Sequence, residues 1–333
     1  MTTMHERMPP DGTSQQSDSQ PPLPGAASAR SLRLGTRASA LARWQAEWVA
    51  AELARLGVQV ELIHVSTQGD VSARPLGAIG GQGLFTKELQ NALLDGVIDL
   101  AVHSLKDLPT ERVPGLCLGA VPERESIRDV LICRDRDSFE ALPAGACIGT
   151  GSVRRGAQLL YARPDLEIRD IRGNVDTRLR KLDEGQYDAI VLAEAGLKRL
   201  GLTDRITQLL PLELMLSAAG QGALGIEVRD GDAFTIQALA PLDHPLTHAA
   251  VRAERALLAA LHTGCLAPVG VWARAADGRL ELDAVVLSPD GRRRVAVSRT
   301  GAWEEATALG ERAAAELLAQ GAAPLIAASR QTV

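Results

Sequence analysis

Five polar or charged residues, His103, Ser104, Lys106, Asp107 and Thr110, follow directly on the apolar run Val97-Ile98-Asp99-Leu100-Ala101-Val102. A short apolar run bounded by Gly96 and by a polar cluster with Pro109 predicts a buried strand. The polar residues then stand at its carboxyl end, the edge at which open α/β sheets take ligands. From the strand end alone, Lys106 and Asp107 are equally well neighbouring surface charges in a solvated turn. Arginine placement adds a second signal. Arg154, Arg155, Arg172 and Arg178 all fall at strand ends or in the first turn or so of a helix, where a cation opposes the helix dipole. A guanidinium grips carboxylate or phosphate through two parallel hydrogen bonds. Repeated on consecutive strand–helix units, such placements point to one shared anion site, and a ligand with several carboxylates would explain their number. Arg37 and Ser39 stand at another strand-to-helix handover, whose amide groups favour an anion.

These residues need a scaffold, and the chain supplies strand–helix alternation. Leu32-Arg33-Leu34-Gly35 is a strand, and Ser39 caps a helix with an apolar face of Leu41, Trp44, Trp48, Val49, Leu53 and Leu56. A second strand covers 59–65. Residues 71–83, rich in glycine, read as a mobile loop. Thr86 caps a helix through Leu94 that Gly96 closes, and the run ending at Val102 follows. This is a right-handed βαβ pattern. Strands over 116–121 and 129–133 flank Pro122-Glu123-Arg124-Glu125-Ser126, a crossing into a second domain. There the same grammar repeats, with strands over 146–149, 167–171 and 188–192. Gly220-Gln221-Gly222 lets a backbone approach something closely before a strand over 224–228. A long amphipathic helix over 246–261 leads to three alternating strands (269–273, 279–287 and 293–298) and a helix over 304–319, a small α+β unit.

The length of 333 residues predicts two or three domains. The composition, 46% hydrophobic and 23% charged, is globular. No apolar run reaches the roughly 18 residues of a membrane span. The net charge of -5 gives no support for nucleic-acid binding. Only Lys87, Lys106, Lys181 and Lys198 are lysines among 36 basic residues; the remaining 32 are arginines. GC-rich coding gives the same bias, so placement carries more weight than the count. Cys117, Cys133, Cys147 and Cys265 form no zinc spacing. The first three lie in apolar strand-like runs and read as buried small hydrophobes. Cys265 sits in a loop between Gly264 and Leu266-Ala267-Pro268. His244, His248 and His262 are too far apart for a metal triad and read as surface or capping residues, so no metal is expected. Residues 1–30, rich in Pro, Ser, Gln and Gly, read as a disordered tail without an export signal, which places the chain in the cytoplasm.

His-Ser-Leu-Lys-Asp at 103–107, Gly-Thr-Gly-Ser-Val-Arg-Arg at 149–155, Arg-Gly-Asn-Val-Asp-Thr-Arg at 172–178, Gly-Gln-Gly at 220–222 and Gly-Cys-Leu-Ala-Pro-Val-Gly at 264–270 together resemble the hydroxymethylbilane synthase (porphobilinogen deaminase) family. The resemblance runs from about Leu32 to about Ile326. It implies an α/β fold of two lobes like those of type II periplasmic binding proteins, with a cleft between them and a small α+β C-terminal domain. The implied division is 31–122 with 223–241, then 128–216, then 245–330. It also implies a dipyrromethane cofactor joined by a thioether to Cys265. On this primer four porphobilinogen units condense head to tail with loss of ammonia, and hydrolysis releases the linear tetrapyrrole. Porphobilinogen carries an acetate and a propionate, which suits clustered arginines. By resemblance, Asp107 stabilises pyrrole cations, and Arg37, Ser39, Lys106, Arg154, Arg155, Arg172 and Arg178 hold acid groups of cofactor and substrate. Thr150 and Ser152 add hydroxyl and amide donors. A monomer that binds neither nucleic acid nor membrane is implied.

Gln82 and Ala78 stand where the family often has lysines, and Ser217 where it usually has proline. A non-catalytic two-lobe anion-binding protein is the alternative; it would need no thiol in a third domain.

Overall fold

The structure is a computed structural model that describes residues 31–65, 86–263 and 267–331. The tail over 1–30, the loop over 71–83 with Ala78 and Gln82, and Cys265 lie outside the described residues. The elements begin with β1 (Leu32–Thr36), α1 (Ala40–Arg55), β2 (Val60–His64), α2 (Lys87–Leu94), β3 (Leu100–Ser104) and β4 (Leu116–Ala120). The chain then crosses to β5 (Asp129–Cys133), β6 (Cys147–Gly149), α3 (Val153–Ala162), β7 (Glu167–Arg169), α4 (Val175–Asp183), β8 (Ala189–Ala193), α5 (Glu194–Arg199) and β9 (Gln208–Leu209). It returns through β10 (Leu224–Arg229) and α6 (Ala233–Leu239). The last part holds α7 (Pro245–Ala260), β11 (Val269–Ala276), β12 (Arg279–Leu287), β13 (Arg294–Gly301), α8 (Ala306–Ala319) and α9 (Ala322–Gln331).

Two five-stranded sheets share one plan. Their orders are β2-β1-β3-β10-β4 and β7-β6-β8-β5-β9. In each, three parallel strands meet an antiparallel fourth: β10 runs against β3, and β5 against β8. The antiparallel strand of each sheet arrives from the other lobe, since β5 follows β4 in sequence and β10 follows β9. Two chain segments therefore cross between the lobes. Parallel strands aligned by helical returns put β1 and β3 at the same edge, so Arg37 and Asp107 follow strands that end side by side. In the second lobe β6 lies between β7 and β8, and its end leads straight into the arginines of α3.

Burial explains the strands. Leu32, Leu34, Leu100, Ile226 and Val228 are fully buried in the first sheet, and Ile148, Ala189, Ile190 and Val191 in the second. Ser39 caps α1 by accepting from Ala42 N at 3.3 Å. Val49 and Leu53 pack inward as the period requires, whereas Leu56 lies past the helix end and is exposed. Thr86 holds the N-cap position of α2, but its side chain makes no capping hydrogen bond there because its backbone is already helical. Cys147 is buried as expected; Cys117 and Cys133 are only half-buried, Cys117 because β4 is partly open through its middle and Cys133 because it is the last residue of β5. The short β9 and the helix α9 carry too few periodic residues to be read in advance.

The third sheet is a meander, β11-β12-β13. Asp277 and Gly278 turn its first hairpin with φ of 48° and 73°, the mirror-image geometry that matches strand twist. Residues of α7, α8 and α9 bury one face, among them Leu257, Leu309, Leu317 and Leu325. On the other face Val285 and Leu287 pack against Ala157 of α3.

Candidate active site

The turn Leu105–Asp107 leaves β3 as a single 3₁₀ turn, with Leu105 N bonded to Ala223 O at 3.0 Å. Leu105 is buried, which forces Lys106 and Asp107 outward from the sheet. Asp107 is exposed and Lys106 half-buried. Gln45 of α1 reaches the same strand end, donating to Ser104 Oγ at 2.7 Å.

The second lobe contributes its cations from the start of α3. Arg154 and Arg155 are buried, and both converge on the fully buried carboxylate of Asp129, the first residue of β5. Arg155 donates to Asp129 Oδ1 through Nε at 3.0 Å and Nη2 at 2.7 Å. Arg154 Nη2 lies 2.8 Å from Oδ2, a contact of charges whose N–H is not aimed at the oxygen. Each also bonds a backbone carbonyl: Arg154 Nη1 donates to Leu216 O at 2.6 Å and Arg155 Nη1 to Val191 O at 3.0 Å. Gln221, from the second crossing segment, joins the lobes. It donates to Asp129 Oδ1 at 3.0 Å and accepts from Lys106 Nζ at 3.5 Å.

The two lobes thus share one electrostatic site. Burial lowers the Lys106 ammonium most, and Arg155 lowers it further; Asp107 and Asp129 oppose, leaving it at about 8. Arg178 on α4 is pushed down to about 10 by burial, then by Arg155 and Arg172, against Asp107 and Asp170. Arg154 is lowered by burial against the pull of Asp129. Burial alone would raise Asp129, but Arg154 and Arg155 outweigh it and hold it at about 2. Cations outnumber carboxylates here, and their charged forms are disfavoured for want of more anions.

Other candidates are placed differently. Arg172 is part-exposed, its Nε on Asp170 Oδ2 at 2.8 Å. Arg178 Nε donates to Gly173 O at 2.8 Å. Thr150 Oγ1 accepts from Ser152 N at 3.2 Å, and Ser152 Oγ accepts from Arg155 N at 3.4 Å as the α3 cap. Ser39 is likewise a cap, and Arg37 is half-buried just beyond β1. What Gly222 approaches is the first crossing segment: at φ 84° its missing Cβ would run into the carbonyls of Glu125 and Ser126. Ser217 pairs with β11, its Oγ on Val271 O at 2.9 Å and its O accepting from Val271 N at 2.8 Å. Thr263 and Ala267 flank the undescribed residues that include Cys265.

A family model described as porphobilinogen deaminase, dipyromethane cofactor binding domain, matches residues 32–237. A second, for the porphobilinogen deaminase C-terminal domain, matches 248–319. The porphobilinogen deaminase of Syntrophotalea carbinolica is 49% identical over 304 residues, covering 90% of this chain and 96% of that protein. That of Desulforudis audaxviator is 51% identical over 304 residues, covering 90% and 98%. The chain belongs to the porphobilinogen deaminase family. It is accordingly an enzyme, a transferase of tetrapyrrole synthesis whose family uses a dipyrromethane cofactor. Among solved structures, a periplasmic substrate-binding protein from Coxiella burnetii covers 65% of this chain and 94% of that one, at 17% identity and a TM-score of 0.42. The two-lobe α/β class rests on the shared strand plan of the two sheets, and the small third sheet falls within the matched C-terminal domain.

Within this porphobilinogen deaminase fold, sequence reasoning passed over Asp129, Gln221 and Arg199. The signal for Asp129 was a carboxylate opening the apolar run Val130-Leu131-Ile132. Arg199, on α5, donates to Gly222 O at 2.6 Å, and its guanidinium lies 5.8 Å from the centre of the Trp44 ring. Trp44 is therefore a contact between the lobes, while Trp48 packs on the first core as expected.

Lys106 sets a pH dependence. Its ammonium titrates near 8 in the fold and at 10.5 unperturbed, so the folded chain holds fewer protons than the unfolded chain between those values. Lys106 opposes folding below pH 8, and that cost is relieved as pH rises toward 10.5. In apoprotein, Lys106→Met is expected to gain urea resistance over wild type at pH 7, with the gain shrinking as pH rises from 8 to 10. A gain that stayed flat over that range would show that Lys106 titrates normally.

Proposed function

We propose that the cation cluster at the meeting of the two lobes holds the carboxylates of porphobilinogen and of the chain grown from it, and that Asp107 stabilises the positive charge left when porphobilinogen loses ammonia. The observation that carries this reading is the juxtaposition of the two lobes' charges: Lys106 feels Asp107, Arg154 and Arg155, and Arg178 feels Asp107, Arg155 and Arg172. A polycarboxylate fits, because buried cations with depressed basicity gain most from an incoming anion. Cys265 is the attachment point in this reading, through a thioether. A bound dipyrromethane supplies the nucleophilic pyrrole carbon at which condensation occurs.

The chain's own residues then divide the work. Lys106 and the arginines bind and orient acid groups. Arg37 and Ser39 act at the neighbouring strand end, and Thr150 and Ser152 present donors at the start of α3. Asp107 is the exposed carboxylate, so it is available to a pyrrole nitrogen. Fixed charge placed where cation develops is commonly a large catalytic contribution. The division into 31–122 with 223–241, 128–216 and 245–330 follows the three sheets. A monomeric, cytoplasmic enzyme accords with this reading; among the described residues no helix is long and apolar enough to cross a membrane.

Whole-protein mass tests it. Purified wild type should exceed its calculated mass by one dipyrromethane, and Cys265→Ser should lack both the increment and the activity. An unmodified wild type at full activity would remove Cys265 from the reading.

A further inference from the structure

We propose that Asp129 is the positioning residue of the carboxylate-binding cluster, acting on Arg154 and Arg155 directly and on Lys106 through Gln221. The proposal rests on the reading of that cluster as the carboxylate site. Asp129 is 0% exposed and opens a core strand, so it reaches no ligand itself. Both its oxygens face cations from α3. The same Oδ1 receives Gln221 Nε2, whose other end takes Lys106 Nζ. Gln221 is held in turn: its Nε2 also bonds Ile127 O at 2.7 Å, and its carbonyl accepts from Arg124 Nε at 2.7 Å. One buried carboxylate thus fixes cations from both lobes, with its own strand rigid in the second core.

The physical need is specific. Two adjacent guanidiniums and an ammonium repel one another in a poorly solvated space. Without an internal anion, their lowest-energy arrangement is spread apart toward water, and a ligand would have to gather them. Asp129 gathers them beforehand yet leaves a net positive charge for the ligand. Such a role predicts that Lys106 titration changes when Asp129 loses its charge and also when Gln221, the bridge between them, is cut with that charge left in place; direct attraction alone would produce only the first. The charged groups facing Lys106 are Arg155, Asp107, Asp129 and Arg154; removing Asp129 leaves Asp107 as its sole opposing carboxylate among these.

The test uses full-length protein carrying Cys265→Ser, and the titration of Lys106 is read in that protein whether or not Cys265 is the anchor. Acetic anhydride labelling of Lys106 is followed against pH by peptide mass, with exposed Lys87 as the internal standard. Asp129→Asn is expected to move the Lys106 midpoint down by about one pH unit. In the Cys265 background the same substitution is expected to lose most of the dipyrromethane mass increment. An unmoved midpoint, or undiminished loading, would overturn the proposal. Should Asp129→Asn fail to fold, Gln221→Leu cuts the bridge alone; the midpoint should again fall, and an unchanged one would be equally decisive against it.

Discussion

Asp107→Asn is expected to slow single-turnover ammonia release roughly a hundredfold at an unchanged melting temperature. Asparagine keeps the size and one acceptor oxygen but loses the charge. A loss of ~3 kcal/mol from the transition state, at about 1.36 kcal/mol per decade, gives that factor. The alternative role is ion pairing with Lys106. An exposed pair is worth about 0–1 kcal/mol, and its loss would leave turnover nearly intact. Asp107→Glu keeps the charge and only misplaces it, so it should fall between the two. Equal ammonia release from the Asp and Asn proteins would take Asp107 out of the mechanism.

The largest expected loss of stability comes from Glu254→Leu. Glu254 is fully buried on α7 and binds Arg124 of the first crossing segment in a two-pronged pair, at 2.7 and 3.0 Å. It also accepts from Gly220 N at 2.7 Å and Ala273 N at 2.9 Å. One carboxylate therefore ties the third sheet to both segments that cross between the lobes. Removing one member of a buried pair costs roughly 3–5 kcal/mol, and each stranded N–H adds about 1–3 kcal/mol. Arg124→Met together with Glu254→Leu should lose less than the sum of the single changes, because no unpaired charge remains. Urea denaturation of the four proteins measures this. Additive losses would mean that Arg124 and Glu254 do not depend on each other.

The sequence by itself determined the local grammar. Apolar runs bounded by Gly and Pro read as strands because burial and turn chemistry are local properties. Ser39 read as a cap for the same reason, and it is one, whereas Ser152, expected as a donor to the ligand, proves to be a cap as well. The placing of Lys106 and Asp107 at a strand end, and of Arg154 and Arg155 at a helix start, likewise needed only neighbouring residues.

What tertiary structure decided was partnership. Arg154 and Arg155 looked free to meet a ligand; the fold turns both onto Asp129, some 25 residues away, because a buried carboxylate cannot remain unpaired. Gly220-Gln221-Gly222 signalled a close approach without saying to what, and the answer is the other crossing segment and Lys106. Trp44 carried a helical period that fitted the core, yet it meets Arg199 of the opposite lobe. Periodicity reports which face of an element is covered. It carries no information about which distant segment does the covering, since that is set by how the two sheets exchange strands and by the charge balance of the space between them.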